Sequence, residues 1–281
     1  MSIKKYILLM FEIWFHFYPA FTSNDARDVH TGDGNRKPID EGTPIRLTTH
    51  GRIRGYFLKS SSTTAEVYEG VPYARPPVGN LRFRAPFPPE PWNGTFDCGR
   101  QKMKNCIEFW FRESTGNESE DCLYMNIVVP YATRKSTESE NSTQLYPILI
   151  WVHGGSFQVG GASIYPLDNI VQNFASRSVI FVAINYRLGP LGFLTAGHRD
   201  LHGNYGLDDQ IEAIRWMKAN ALNFDGDPNQ ITIGGENAGA ASVSILAISP
   251  KTKGKLESRH SNRIIYICSF SEQQADYEEN S

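Results

Sequence analysis

The chain has little of what would mark a specialised role. Its formal net charge is only −2 over 281 residues, so no overall field directs it to nucleic acid. It has four cysteines and seven histidines, and nowhere do they fall with Asp or Glu at metal-ligand spacing. It contains neither a G-x-x-x-x-G-K-[ST] loop nor a G-x-G-x-x-G turn, the glycine patterns that cradle phosphates. No metal or other cofactor is therefore expected. Beyond the N-terminus no apolar run approaches the roughly 20 residues of a membrane span. No internal repeat and no second domain are evident.

What is present is ordinary globular material, 40% hydrophobic and 21% charged, enough for one sizeable core. The first segment reads as a secretory signal over residues 1–23. Lys4 and Lys5 precede a mostly apolar run from Tyr6 to Phe21, and the small residues Thr22 and Ser23 follow. Glu12 and His16 interrupt that run. Export fits three N-x-S/T sequons, at Asn93, Asn117 and Asn141, each in a polar, loop-like stretch. Cys98, Cys106, Cys122 and Cys268 are free to form disulfides in an oxidising compartment. These features give the expectation of a secreted glycoprotein with no integral span beyond the signal segment.

Residues 24–43 are polar and read as a disordered lead-in. Ile45 to Leu58 alternates around His50-Gly51 as a hairpin does. Residues 70–92 carry seven prolines and read as irregular coil, because proline fixes φ and removes a donor. Strands are expected at Leu123–Val129, Pro147–Val152, Val179–Asn185, Ile231–Ile233 and Ile264–Phe270. Helical spacing runs from Leu207 to Phe224 and again from Ala238 to Ile248. Alternation of this kind implies an α/β fold with a mostly parallel sheet covered by helices. The folded unit is expected over 44–270, with a polar tail at 271–281.

One turn decides how the chemistry is read. Ile231-Thr232-Ile233 runs into Gly235-Glu236-Asn237-Ala238-Gly239 and then a helix. A strand that turns sharply through G-x-S-x-G into a helix is a nucleophile elbow. Here the residue at the tip is Asn237, whose amide cannot become a nucleophile near neutral pH.

Long motifs in fixed order surround this turn. They are Gly70-Val71-Pro72-Tyr73-Ala74 with Pro76-Pro77-Val78-Gly79-Asn80-Leu81-Arg82-Phe83, and Ser119-Glu120-Asp121-Cys122-Leu123-Tyr124-Met125-Asn126. Then come His153-Gly154-Gly155-Ser156-Phe157, Asn185-Tyr186-Arg187-Leu188-Gly189-Pro190-Leu191-Gly192-Phe193, and Gly203-Asn204-Tyr205-Gly206-Leu207-Asp208-Asp209-Gln210. Over about residues 44–254 the chain resembles the type-B carboxylesterase/cholinesterase family of α/β-hydrolases. The match extends over the first half of that family's catalytic domain, so the fold is expected to be the N-terminal portion of an α/β-hydrolase, incomplete.

By position, the resemblance implies that the N–H groups of Gly155, Ser156 and Ala238 form an oxyanion hole. Read alone, a Gly-Gly pair after a strand is merely a tight turn. Ser156 replaces the commoner third glycine. The resemblance further pairs Cys106 with Cys122, leaves Cys98 and Cys268 paired or free, and implies buried ion pairs of Arg82 with Glu120 and Arg187 with Asp209. Trp110 in the loop 107–121 reads as packing. Asp225 and Asp227 read as loop residues, and Glu236 as a pocket residue or a structural acceptor. The family's triad acid and histidine lie further along than this chain reaches. Ser242 and Ser244 sit beyond the tip. None of His16, His30, His50, His153, His198, His202 and His260 is placed as a general base. The expectation is a secreted carboxylesterase-like protein without catalysis, marginally stable as a monomer. The family contains non-catalytic adhesion proteins, so an extracellular protein partner is one reading of its role. The alternative is a carboxylic ester hydrolase, acting through Ser, His and an acid, whose sequence is incomplete.

Overall fold

The computed structural model describes residues 42–99, 103–109, 117–131, 145–198, 200–252 and 263–267. The signal segment, nearly all of the lead-in, Trp110, Asn141, Cys268, His16, His30, His260 and the tail lie outside the described residues.

The N-terminal hairpin pairs β1 (Ile45–Thr48) with β2 (Gly51–Arg54), and β5 (Thr95–Asp97) adds to β2. The remaining strands are β3 (Tyr56–Ser60), β4 (Thr63–Pro72), β6 (Asn105–Cys106), β7 (Glu118–Ser119), β8 (Tyr124–Pro130), β9 (Tyr146–Val152), β10 (Ile180–Ile184), β11 (Gly226–Glu236) and β12 (Arg263–Ile267). Four helices are described: α1 (Leu167–Asn173), α2 (Gly189–Phe193), α3 (Tyr205–Asn220) and α4 (Ala238–Ile248).

The main sheet has seven strands in the order β12-β11-β9-β10-β8-β4-β3. It is mixed. β12, β11, β9 and β10 are mutually parallel, whereas β10–β8, β8–β4 and β4–β3 are antiparallel. The parallel half carries the apolar runs legible in the sequence. The antiparallel half runs through β4, which occupies Thr63–Pro72, to the edge strand β3. The first three residues of the proline-rich stretch are therefore strand and not coil. They escape notice because Pro72 comes only at the strand's last position, where a missing N–H does not interrupt the ladder.

Alternation in the central strands packs both faces. Ile148, Ile150 and Val152 of β9 join one core with Val182, Ile233, Trp216, Met217, Val243 and Leu246. Leu149 and Trp151 join the other, with Phe181, Val67 and the α1 residues Ile170 and Val171. Helices α3 and α4 thus cover one face and α1 the other, as continuous apolar strands require. The hairpin is tied down by Arg46, which gives Glu66 two hydrogen bonds of 2.9 Å and Asp225 one of 2.8 Å. Asp225 is therefore an ion-pair partner as well as a loop residue.

Two glycines let α4 sit close to the sheet. A Cβ on Gly239 would lie 2.0 Å from the Val152 carbonyl oxygen, and one on Gly235 would lie 2.6 Å from the Gly239 carbonyl carbon. Any larger residue would push the helix off the strand. The tight passage from β11 into α4 therefore depends on both.

Candidate functional site

The site begins where β11 ends. Asn237 stands alone between Glu236 of β11 and Ala238 of α4, exposed, with φ 49° and ψ −120°. That backbone is strained for any residue with a Cβ, by an amount on the order of 1–3 kcal/mol. Its own carbonyl accepts from Ala241 N at 3.0 Å, the first turn of α4, and this fixes the angle. The side chain folds back, so that Oδ1 accepts from Ala238 N at 2.7 Å and from Ser156 N at 3.2 Å.

Ser156 reaches this point through the loop after β9. Gly155 takes φ 102° and Ser156 φ 54°. The loop closes with Gln158 N and Val159 N both donating to the Gly155 carbonyl, at 2.9 and 3.1 Å. A Cβ on Gly154 would meet Asn237 Cβ and the Glu236 carbonyl oxygen, each at 3.0 Å, so the loop lies directly against the elbow. Of the three backbone donors inferred from sequence, those of Ser156 and Ala238 converge on one point. Gly155 shapes the turn instead of sharing the Asn237 oxygen. The convergence point is filled by the Asn237 carboxamide oxygen, which the sequence alone does not reveal.

Burial shifts the titratable neighbours toward their neutral forms. Burial pushes His153 down to about 4, so its ring is neutral. Nδ1 lies 2.8 Å from the Gly154 carbonyl. A carbonyl only accepts, so the proton is on Nδ1. The ring stacks on Tyr186 at 4.4 Å, and the Tyr186 hydroxyl donates to the His153 carbonyl at 2.9 Å. Glu236 is raised above the usual carboxylate range, chiefly by burial, with Tyr165 and the Gly154 N–H pulling the other way. His198 is exposed and lies near Asp200. Ser242 accepts from Gln210 at 3.1 Å, and Ser244 donates to the Ala240 carbonyl at 2.9 Å, so both are occupied away from the tip.

A brace that the sequence did not suggest holds the loop. Glu108 accepts from Gly160 N at 3.1 Å, Phe109 N donates to the Gln158 carbonyl at 2.8 Å, and Gly189 N donates to the Phe157 carbonyl at 2.7 Å. Glu108 and Phe109 belong to the loop closed by the Cys106–Cys122 disulfide. Asn185 links the same parts, donating to the Lys104 and Cys122 carbonyls and accepting from Ala162 N. Such bonds bring residues from distant parts of the chain together. No local sequence pattern encodes them.

The remaining inferred residues fall as follows. Arg187 grips Asp209 through Nε and Nη2 at 2.8 and 2.7 Å, both side chains buried. Arg82 meets Glu120 through two contacts of 2.6 Å, but its side chain is 45% exposed, so this pair is not buried as expected. Arg82 caps the short 3-10 turn Gly79–Leu81, none of whose residues is buried, so its guanidinium stays partly open to solvent. Cys98 is a buried free thiol raised by desolvation, which leaves it inert. Asn93 is exposed in the turn before β5. Asn117 is half-buried, with its Nδ2 3.5 Å from the Met103 carbonyl, and the rest of its sequon forms β7 and not a loop. Among the described residues no cluster of His, Cys, Asp and Glu could hold a metal ion, and no helix is long and apolar enough to cross a membrane.

A strand, a one-residue strained tip and a helix, faced by a glycine loop after a parallel strand, define the architecture around this site. A family model described as "Carboxylesterase family" matches residues 42–264. The chain belongs to the carboxylesterase family. It has the α/β-hydrolase fold of that family. It is 42% identical over 220 residues to "Venom carboxylesterase-6" of Apis mellifera, which takes in 76% of this chain and 37% of the relative. It is 38% identical to "Pyrethroid hydrolase Ces2e" of Rattus norvegicus (76% and 38% covered) and 40% identical to "Acetylcholinesterase" of Leptinotarsa decemlineata (74% and 36% covered). The chain spans well under half the length of these relatives.

Proposed function

We propose that this carboxylesterase-family chain does not hydrolyse esters, and that Asn237 stands where the family carries its nucleophilic serine. The observation that carries the proposal is the Asn237 side chain. It offers no hydroxyl or thiol to attack a carbonyl, and its oxygen takes the N–H groups of Ser156 and Ala238. A substrate carbonyl would have to displace an intramolecular amide that is already in place. No described histidine hydrogen-bonds to Asn237. The secretory reading of residues 1–23 and the exposed sequon at Asn93 support export, and with it a binding role toward an extracellular protein.

The second reading is an ester hydrolase of Ser-His-acid type. It is favoured by the intact convergence of the two backbone donors and by relatives named as hydrolases and esterases. Hydrolysis of a p-nitrophenyl ester separates the two. The purified chain is expected to remain at the buffer rate, and Asn237→Ser is expected to remain there too, because no histidine among the described residues hydrogen-bonds at position 237. Turnover by the unaltered chain would overturn the proposal, and turnover gained only in Asn237→Ser would favour the second reading.

A further inference from the structure

The tip of the elbow holds its asparagine in an unusual relation to the next peptide. Cβ is displaced from the residue's own nitrogen by about a third of a turn around the Cα–C bond, as tetrahedral geometry dictates. A ψ of −120° therefore eclipses Cβ with the nitrogen of Ala238. The side chain then turns back over that nitrogen, and Oδ1 lies 2.7 Å from it. The adjoining carbon Cγ is thus held beside Ala238 N, in the arrangement from which a five-membered ring closes.

Three further features favour closure. Ala238 opens α4, so its N–H has no helical carbonyl to serve. The Ser156 N–H, 3.2 Å from Oδ1, is placed to stabilise negative charge that develops there. Asn237 is exposed, so water reaches it.

We infer that Asn237 is a structure-promoted deamidation site, its carboxamide converted by the backbone of the elbow itself. The Ala238 nitrogen bonds to Cγ and gives up its proton. The Cγ–Nδ2 bond breaks, and Nδ2 leaves as ammonia carrying that proton. A solvent water then adds to one of the two carbonyls of the succinimide and opens the ring, leaving aspartate or isoaspartate at 237. An aspartate product gains charge-assisted hydrogen bonds from Ser156 N and Ala238 N, stronger than those the neutral amide accepts. This rests on the turn geometry alone and not on whether the chain hydrolyses esters.

The test incubates the full chain, folded in buffer or unfolded in urea, and follows the amide-to-acid mass gain at each asparagine by peptide mapping. Isoaspartyl methylation marks the ring-derived product, and Asn237→Asp gives the mass and retention standard. In chain made without N-glycosylation, the Asn93-Gly94 step, unhindered by any side chain on the following residue, serves as an internal clock for conversion driven by sequence. Relative to that clock, conversion at 237 is expected to be faster in the folded chain by about tenfold or more, because positioning replaces a conformational search. Asn237→Gln, which would need a six-membered ring, is expected to stay an amide. Conversion at 237 that is equal or slower in the folded chain, or that yields no isoaspartate, would overturn the inference.

Discussion

At residue 237 two effects oppose each other, and their balance is measurable. The positive φ costs stability, while the carboxamide recovers some by satisfying Ser156 N and Ala238 N. Asn237→Gly relieves the strain but loses both bonds and adds unfolded-chain entropy, so its urea midpoint is expected to stay close to that of the parent. Asn237→Ala keeps the strain and loses the bonds, so a loss of about 1–2 kcal/mol is expected. An alanine variant more stable than the glycine variant, by the roughly 0.5–1 kcal/mol of the entropy difference, would mean that the tip is not strained.

His153 sets a pH dependence at the same scale. Its folded pKa, about 4, lies below the roughly 6.5 of an unfolded histidine. Protonation therefore favours the unfolded chain. The stability is fully present above about pH 6.5 and falls as pH drops toward 4, by about 3 kcal/mol in all. His153→Phe keeps the ring stack on Tyr186 and cannot titrate, so its stability is expected to be flatter over that window. An unchanged slope would assign the acid loss to other groups.

At the scale of elements, the two ion pairs separate by burial. Asp209 on α3 holds Arg187 in the segment after β10, and its Oδ2 also accepts the Arg187 backbone N–H at 3.1 Å. Asp209→Ala strands a buried guanidinium, with an expected cost of about 3–5 kcal/mol. Glu120→Ala leaves Arg82 free to turn to solvent, and its thermal midpoint is expected to stay within error of the parent. Equal losses would mean that the exposed pair is held more tightly than its accessibility implies. The elements themselves were largely legible. β9 and β10 are continuous apolar runs, and α4 spans Ala238–Ile248 as its composition indicated. β4 and α1 were not, because the prolines around β4 and the short, mixed face of α1 mask their periods. Part of the antiparallel half of the sheet was missed for the same reason, since β4 makes two of its three pairings, while β8 runs antiparallel to β10 without it.

At the scale of the molecule, the chain is a family scaffold organised around one turn. The glycines that bring α4 onto β9, the loop that lies against the elbow, and the brace from the disulfide-closed segment all converge on the pair of N–H donors at Ser156 and Ala238. The sequence pattern located these donors but could not reveal what fills them, because the direction of a side chain is set in three dimensions. The disulfide also closes a loop of 16 residues in sequence separation, worth about 3 kcal/mol in the chain-entropy model. The most direct test of the central claim exposes the purified full chain to a fluorophosphonate probe and reads the intact mass. With Asn237 at the tip and its oxygen in the donor pair, the mass is expected to remain unchanged. A stoichiometric phosphonyl adduct on this chain would contradict that claim.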